Sequence, residues 1–348
     1  MRKQTTKHAV ITMATVLGLS MGMSLPVFAE GEEVENSLVI YTAEPDSNME
    51  PLIAGFNEVY PDCEVEVIYG SAGDMTSRII AESADPQCDV MFSGLNAGDG
   101  DAYKDYFEEY VSVHDEEMIE DCKSNNGYYN YVIISPAVLY VNNTLLEEAG
   151  VTVKNYQDLL QPELEGMVVS ADPNSSSAAW NNLANILADF GYESEETWDY
   201  IDKLLGNGLV ITSSSSTVFT SVTNGEYAVG LTYETGATTQ LYDGAEDCEI
   251  IYPEEGGGYI VTAAAIVKDC KHPEAAKAWI DYTASAEGQT EWATTVGTIR
   301  PTNANATYES EFMQPFDSIN WVTRDNDYLT SHKNEILEKW NELYNKHN

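Results

Sequence analysis

The chain has 348 residues, which is the length of about two domains. Hydrophobic residues make up 43% of it, enough for a buried core, and this excludes a wholly disordered chain. The 58 acidic residues against 16 lysines and arginines give a net charge of −42, which opposes binding to nucleic acids and to anionic membrane surfaces. We therefore expect no nucleic-acid partner, and we expect most acidic side chains to be solvated surface.

The first 29 residues have the composition of a secretory signal peptide. Three basic residues lie within the first seven positions, an apolar segment covers residues 9–25, and residues 27–29 fit the small-x-Ala pattern of a cleavage site. An N-terminal membrane anchor is the alternative, but the apolar segment is short and glycine-rich for a stable span. The sequence predicts cleavage before Glu30 and an exported protein, periplasmic or extracellular, associated with the cell envelope.

Beyond this segment, short apolar runs alternate with amphipathic stretches that carry helix-start signals. Strands are predicted at 37–42, 65–70 and 89–92. A capping box at Ser47 and Glu50 predicts the start of a first helix that Pro61 ends, and Ser71 with Asp74 predicts the start of a second. This β-α-β-α-β order is typical of a parallel, doubly wound sheet.

Two later segments predict crossings between lobes. The first is the long apolar run at 129–141, which Pro136 interrupts, and the second is the glycine triplet at 256–258 with the strand predicted at 259–267. Between them the alternation of strands and helices resumes. Strands are predicted at 167–170, 209–212, 227–232 and 249–252, and helices near 156–160, at 177–190, at 194–205 and before Gly225.

Two more helices are predicted beyond the second crossing, from Pro273 to about residue 282 and over about 328–344. The sequence thus predicts an α/β fold made of two doubly wound α/β lobes joined by a two-crossover hinge. Lobe 1 is expected to comprise residues 36–135 and 257–298, and lobe 2 residues 136–256 and 299–348.

Three of the predicted strand-to-helix turns are rich in serine and glycine. They lie at 70–73, 174–177 and 213–216, each before a predicted helix. Exposed N–H groups and the positive end of the helix dipole favour an anion at such turns, whereas ordinary helix capping uses the same residue types. Ligands of α/β folds bind at the carboxyl ends of strands, so we expect the binding site in the cleft between the lobes.

Three further residues are candidates for contact with a solute. Glu234 could accept hydrogen bonds from hydroxyls or an ammonium group, could bind a metal, or could be a solvated loop acid. Trp180 could stack on a ligand or belong to the core. Arg300 could pair with a ligand anion or with one of the many acidic side chains, while Arg78 is expected to pair with Glu82 one helical turn away.

Motifs of known enzyme classes are absent from the sequence. It contains no GxSxG, HExxH or GxxxxGK[ST] motif, and its five histidines have no apparent nucleophile or metal partner. Asp99 and Asp101 begin a fragment like a calcium loop, which Tyr103 interrupts. We expect no catalytic residue, no cofactor and no metal site. A secreted hydrolase would need a nucleophile–base pair, and an adhesion or sensor module would need a further domain or an anchor.

The cysteines do not indicate a metal site either. Their number is odd, so at least one thiol is expected to be free in an oxidising compartment, and the sequence leaves the pairing of the others open. The five are Cys63, Cys88, Cys122, Cys248 and Cys270.

Six stretches of the chain, in order, resemble one family. They are VIYTAE at 39–44, YGSAGDMTSRIIAE at 69–82, CDVMFSG at 88–94, SADPNSSSAAW at 170–180, NGEYAVGLTYE at 224–234 and KHPEAAKAWIDYTASAEGQ at 271–289. Together they resemble the bacterial extracellular solute-binding proteins of ABC importers, in the type II periplasmic binding protein group that includes receptors for ferric iron, 2-aminoethylphosphonate and hexose phosphates. The resemblance implies a two-lobed, non-catalytic, monomeric receptor that delivers a small solute to permease subunits.

The resemblance also suggests which solute is bound. Ferric-iron receptors close over the metal with adjacent tyrosines, whereas this chain has one tyrosine in Thr232-Tyr233-Glu234. Receptors for phosphonates and sugar phosphates place the anion on serine-rich helix N-termini, which the turns at 71–73 and 175–177 match. A small anionic solute, phosphorylated or phosphonate-like, is therefore favoured. The alternative is ferric iron or a cation such as a polyamine or thiamine, because Glu44, Tyr233 and Glu234 could supply oxygen ligands.

The predicted ligand-binding residues combine these turns with the side chains at the other strand ends. They are Thr42, Glu44, Ser71, Ala72, Gly73, Ser93, Gly94, Ser175, Ser176, Ser177, Trp180, Ser215, Tyr233, Glu234 and Arg300.

Overall fold

The computed structural model of the protein describes residues 34–99 and 101–347. The predicted signal peptide over residues 1–29 lies outside the described residues, and its cleavage stays a prediction. In the part of the chain that is described, no helix combines the length and the apolar character needed to cross a bilayer.

The described residues form nine strands and eleven α-helices. The strands are β1 Ser37–Thr42, β2 Glu64–Tyr69, β3 Val90–Asn96, β4 Asn130–Asn142, β5 Val168–Ala171, β6 Val210–Thr212, β7 Val229–Tyr233, β8 Cys248–Ile251 and β9 Tyr259–Ile266. The helices are α1 Asp46–Val59, α2 Ala72–Ala81, α3 Asn143–Ala149, α4 Ser177–Phe190, α5 Glu195–Gly206, α6 Ser215–Thr223, α7 Glu234–Tyr242, α8 Pro273–Ala284, α9 Ala286–Val296, α10 Asn326–Ser331 and α11 Lys333–His347.

All nine strands belong to one mixed sheet. Its order is β2-β1-β3-β9-β4-β7-β5-β6, and β8 pairs with β4 beside this path. Strands β1, β2 and β3 form one parallel set, and β5, β6 and β7 form another. The long strands β4 and β9 run antiparallel to each other and join the two sets. The predicted α/β class, with two doubly wound halves and two shared strands, is confirmed, while the predicted lobe boundaries stay predictions.

Strand β4 continues through Pro136, so the predicted interruption is wrong. Residues 130–136 pair with β9, and residues 137–141 pair with β7 on the other side of the strand. Pro136 lies where β4 changes partners. A residue without an N–H group is tolerated at such a position, because it removes little from the ladder of hydrogen bonds.

The register of β4 brings the carboxyl ends of the two parallel sets together. Asn96, the last residue of β3, pairs with Thr262 of β9, which in turn pairs with Ile133 of β4. Tyr233, the last residue of β7, pairs with Ala137 of β4. The two sets therefore end within four residues of each other along β4, roughly 13 Å, and approach from opposite directions. This is where the helix N-termini of both halves meet.

An apolar cluster supports each strand set. Under β1 and β3, the ring centroid of Phe92 lies 5.7 Å from that of Trp279 and 5.8 Å from that of Trp292, and all three side chains are buried. Under β5 and β7, Leu187 and Ile201 belong to a second buried cluster. Buried aromatic rings add edge-to-face contacts to their hydrophobic gain, so these clusters hold both halves of the sheet rigid beneath the site.

The helix starts agree with the sequence in one case and differ in another. Ser71 caps α2 as predicted, because its hydroxyl accepts from the N–H of Asp74 at 3.1 Å. The predicted capping box at Ser47 is wrong: α1 begins at Asp46, its N-cap is Pro45, two residues before Ser47, and this cap makes no side-chain hydrogen bond. Pro45 enters the helix from an extended backbone conformation, so Ser47 lies inside the first turn and not at the cap.

Three helices were not indicated by the sequence, α3, α7 and α9. Helix α7 contains Gly236 and three threonines, which are poor helix formers. A Cβ at Gly236 would lie 2.2 Å from the ring of Phe219, so the glycine permits close packing that stabilises the helix. The predicted C-terminal helix is also divided, into α10 and α11, on either side of His332.

A buried carboxylate ties β3 to the segment that follows β9. Asp89 is 2% exposed and accepts from the backbone N–H groups of Val39 at 2.7 Å, Lys271 at 3.1 Å and His272 at 3.0 Å. The Nδ1 atom of His272 lies 2.9 Å from the same carboxylate. One side chain therefore satisfies donors of two segments, β1 and residues 271–272, that converge beside it at this end of the sheet.

Replacing Asp89 by Ala should lower the free energy of unfolding by about 3–5 kcal/mol, because it leaves several buried donors without an acceptor. Urea unfolding measures this loss. Asp85→Asn is the matched control, since the Asp85 side chain is 83% exposed and lies 3.9 Å from the ammonium of Lys271. The control should change stability by less than about 0.5 kcal/mol, and equal losses in both variants would contradict the role of Asp89.

Candidate functional site

Three predicted residues form one hydrogen-bonded group at the ends of β1 and β3. The hydroxyl of Thr42 donates to the carbonyl of Phe92 at 2.9 Å and accepts from the N–H of Glu44 at 3.0 Å. The carboxylate of Glu44 accepts from the hydroxyl of Ser93 at 2.6 Å and from the amide of Asn48 at 2.7 Å. The half-buried Glu44 carboxylate is thus held in a fixed orientation at the carboxyl end of the sheet.

Ser93 has an unusual backbone conformation. Its φ of 54° is in the left-handed region, which residues other than glycine seldom adopt. The pairing of β3 with β9 is irregular between Met91 and Leu95, a stretch that includes Ser93 and the half-buried Gly94. The Ser93 hydroxyl lies 3.1 Å from that of Thr262. Strained backbone clusters at functional sites, so this outlier supports the predicted place of the site.

The first serine turn is exposed. Ser71, Ala72 and Gly73 are all exposed at the start of α2. The Ser71 hydroxyl donates to the carboxylate of Asp74 at 2.7 Å while it caps the helix. Its hydrogen-bonding capacity is therefore largely used within its own turn.

The other two serine turns meet. The hydroxyl of Ser176 accepts from the N–H of Ala179 at 3.3 Å, which caps α4, and it lies 3.0 Å from the hydroxyl of Ser215 at the start of α6. Ser175 and Ser177 are exposed on either side of it. Strands β5 and β6 are neighbours in the sheet, so their following turns present the N-termini of two helices at one place.

Tyr233 connects the two halves of the site. It is the last residue of β7, and its ring centroid lies 5.1 Å from that of Phe219. Burial raises the pKa of Tyr233, and the nearby charges of Glu44 and Tyr69 raise it further. Glu44 and Tyr69 belong to the other strand set, so the carboxyl ends of both sets contribute to one site.

Glu234 and Arg300 form a buried ion pair with each other. Arg300 Nε donates to one carboxylate oxygen at 2.8 Å and Nη2 to the other at 2.5 Å, and both side chains are at most 1% exposed. The hydroxyl of Tyr252 also donates to Glu234. The carbonyl of Arg300 accepts from the N–H of Ile134 on β4. The pair thus fixes the start of α7 to the shared strand, and its predicted contact with a solute stays a prediction.

Trp180 and Ser177 line a cavity of about 440 Å³ next to the serine turns. The ammonium of Lys333 lies 5.1 Å from the centroid of the Trp180 ring. Other parts of the wall come from residues 96–99 after β3, from the start of β9 and from residues 322–333. Arg324 and Lys333 are not among the predicted ligand-binding residues, because neither belongs to a motif. The scarcity of basic residues is the only sequence signal that could have identified them as candidates.

Among the described residues, no group of three or more histidine, cysteine or acidic side chains is arranged to hold a metal ion. All five cysteines are free thiols, four of them buried. The predicted pair of Arg78 and Glu82 is confirmed, with Nε and the carboxylate 2.7 Å apart.

Residues 41–290 match the family of bacterial extracellular solute-binding proteins. This stretch is well over half of the chain, so the chain belongs to that family. It is a substrate-binding protein of an ABC transporter and not an enzyme, and proteins of this family act outside the cytoplasm and deliver small solutes to permease subunits.

Two relatives extend over much of the chain. An uncharacterized protein of Haemophilus influenzae is 27% identical over 339 residues, which cover 92% of this chain and 96% of the relative. A probable ABC transporter periplasmic-binding protein of Sinorhizobium fredii, y4fP, is 23% identical over 241 residues, which cover 68% of this chain and 66% of the relative.

Solved structures confirm the type II periplasmic binding protein fold. The periplasmic binding protein AfuA from Actinobacillus pleuropneumoniae, with exogenous fructose-6-phosphate bound, has a TM-score of 0.72 at 23% identity, covering 89% of this chain and 99% of that chain. Iron-bound HitA from Pseudomonas aeruginosa has a TM-score of 0.72 at 20% identity, with the same coverage. Proteins of this fold therefore differ in what they bind.

Replacing Glu234 by Gln should lower the free energy of unfolding by about 3–5 kcal/mol, because Arg300 would remain charged and buried without its partner. Arg78→Gln is the control, since it breaks an ion pair whose members are 41% and 22% exposed and should cost less than about 1 kcal/mol. Urea unfolding compares the two. If both variants lose the same stability, the buried pair does not anchor the site.

The carboxyl group of Asp189 makes the stability of the protein depend on pH. Burial and the charge of Glu255 raise the pKa of Asp189 to about 7, although Arg324 opposes the shift. The folded protein then holds a proton that the unfolded chain releases near pH 3.9. This contribution to stability is complete below about pH 4 and is lost as the pH rises to about 7.

Asp189→Asn should remove the loss of stability that occurs as the pH rises from about 4 to about 7. We expect the variant and the wild type to be equally stable near pH 4, and the variant to be the more stable at pH 8. Thermal melts across this range measure the difference between the two proteins. A constant difference at all pH values would show that Asp189 titrates normally.

Proposed function

We propose that this receptor captures a small anionic organic solute, phosphorylated or phosphonate-like, at the carboxyl ends of the two strand sets. The contact between Ser176 and Ser215, 3.0 Å apart at the starts of α4 and α6, carries the proposal. Two helix N-termini with adjacent hydroxyls offer an oxyanion several donors and two positive dipole ends. A buried oxyanion needs several such donors to replace its water.

The likeness to AfuA supports an anion of this kind, since that protein is described with fructose-6-phosphate bound. The protein's own net charge of −42 does not oppose local binding, because exposed charges are screened beyond about 8 Å at physiological salt. We further propose that the receptor is a periplasmic or otherwise envelope-associated monomer without affinity for nucleic acid, in which two lobes close over the solute.

The second candidate is a receptor for ferric iron or another cation. Three side chains at the carboxyl ends of the strand sets favour it, because Glu44, Tyr69 and Tyr233 could supply hard oxygen ligands. The likeness to iron-bound HitA points the same way. Against it, Glu234 is occupied by Arg300, which leaves fewer oxygen ligands at the end of β7.

The solute itself is the first measurement. The protein purified from its host envelope is analysed by native mass spectrometry for the compound it retains. An organic phosphate or phosphonate supports the proposal. A cationic or neutral compound contradicts it, and so does a visible absorption band that appears with ferric citrate and is lost in Tyr233→Phe.

Calorimetric titration of the identified solute then tests the serine turns. Ser176→Ala should weaken binding by about 1.5–3 kcal/mol, the range for a hydrogen bond to a charged group, which is roughly 10- to 150-fold in Kd. Ser71→Ala should weaken it if the turn of α2 also contacts the anion. Both variants should lose about 1 kcal/mol of stability at most, from the lost caps.

Ser194→Ala is the matched control, because Ser194 caps α5 through the N–H of Glu196 at 3.1 Å and none of the proposed ligand contacts involves it. It should lose similar stability and keep the affinity of the wild type. If Ser71→Ala and Ser176→Ala also bind like the wild type, the serine turns are plain helix caps, and the solute must be held around Glu44 and Tyr233.

A further inference from the structure

Arg324 is a half-buried cation without a direct ion-pair partner among the described residues. Its Nη2 donates to the carbonyl of Asn181 at 2.7 Å, and its Nη1 donates to the side-chain oxygen of Asn181 and, at 3.4 Å, to the carbonyl of Tyr259. These acceptors are neutral. The Nε atom is buried and has no hydrogen-bond partner. No carboxylate among the described residues lies within ion-pair distance of this guanidinium.

Arg324 and Arg300 have different electrostatic environments. Burial lowers the pKa of Arg324 to about 10, although the charge of Asp189 opposes the shift. At Arg300, burial is opposed by the charge and the hydrogen bonds of Glu234, and the pKa is raised. Arg300 thus has a carboxylate in direct contact, whereas Asp189 lies beyond ion-pair distance of Arg324.

Charged side chains of both signs surround Arg324 in the cavity. Three basic residues line it, Arg324, Lys333 and Lys123, together with the acidic residues Asp99, Glu120 and Asp121. Lys123 lies 3.1 Å from Glu120, whereas the other two acids accept hydrogen bonds from neutral donors of the same wall, Asp99 from the N–H of Asn96 at 2.8 Å and Asp121 from Tyr259 at 3.2 Å. Lys333 lies over the ring of Trp180, and no described carboxylate is within ion-pair distance of its ammonium.

We propose that Arg324 binds the anionic group of the solute in this cavity, with Lys333 and the first turn of α4 as its neighbours. This inference rests on the proposed function and names the residue that selects for an oxyanion. The planar guanidinium can place two N–H groups on one carboxylate, phosphate or phosphonate. Nη2 has two N–H groups and donates one of them to Asn181, so the other is the donor that such a ligand would satisfy.

The cavity also indicates the form of the solute. Ser177, at the first position of α4, offers a hydroxyl at the same wall, and the indole of Trp180 offers an apolar face. A volume of about 440 Å³ accommodates a small organic molecule. The occupant is therefore an oxyanion that carries a compact organic body able to lie against Trp180.

Inorganic phosphate serves as the probe, because it carries the proposed anionic group alone. Thermal melts compare 10 mM phosphate with chloride at equal ionic strength, so that general salt effects are small. The melting temperature of the wild type should rise by about 2–4 °C when phosphate exceeds its Kd about tenfold. Arg324→Gln should abolish the rise, and Lys333→Gln should reduce it.

Arg78→Gln is the matched control, since it removes an arginine that is paired with Glu82 on the surface. It should respond to phosphate like the wild type. Arg324→Lys keeps the charge without the planar fork, so it should retain a smaller rise, and it remains informative if Arg324→Gln does not fold. Melts in chloride alone report whether each variant is folded.

Two results would overturn the inference. One is a phosphate response in Arg324→Gln equal to that of the wild type, and the other is a wild type without any response. The proposed function is decided separately, by the solute retained through purification and by the Ser176→Ala titration. A retained organic phosphate that binds Arg324→Gln with unchanged affinity would leave the proposed function intact and place its anion at the serine turns alone.

Discussion

The candidate site depends on how the long strands β9 and β4 join the two parallel strand sets. One set pairs with β9 and the other with β4, in opposite directions, so their carboxyl ends face each other across residues 133–137 of β4. The loops that follow the strands of either set are thereby directed to the same region. The Glu234–Arg300 ion pair stabilises this geometry, since it joins the end of β7 to the backbone of β4. The two long strands thus connect the halves of the sheet and lie beneath the candidate site.

Charge is distributed unevenly in this acidic protein. Basic side chains number 16 in 348 residues, and most acidic ones lie at the surface. Near the candidate site, Arg300 is paired with Glu234, whereas Arg324 is half-buried and donates to neutral acceptors. The first arrangement stabilises the fold and the second weakens it. A receptor can tolerate that cost where the ligand restores the missing charge, because binding then returns the free energy that the empty protein lacks.

Local sequence signals identified most of the fold. Buried strands appeared as short apolar runs, and Ser71, Ser176 and Ser194 marked helix starts that the structure contains. The signals failed where packing overrides propensity, as at α7, whose threonines and Gly236 oppose a helix until Phe219 packs against it. They failed again at Pro136, because the sequence does not reveal which residues of β4 change their neighbours.

The sequence by itself determined the α/β class and the family and predicted the strand ends that form the candidate site, since these follow from patterns within short segments. Only the tertiary structure determined which charged residues pair with each other and which line the cavity. Glu234 and Arg300 are 66 positions apart and neutralise each other, and Arg324 comes to line a cavity with Ser177 and Trp180, nearly 150 positions earlier in the chain. Electrostatic partners depend on distance in space and on burial, and neither quantity is encoded in the spacing of residues along the chain.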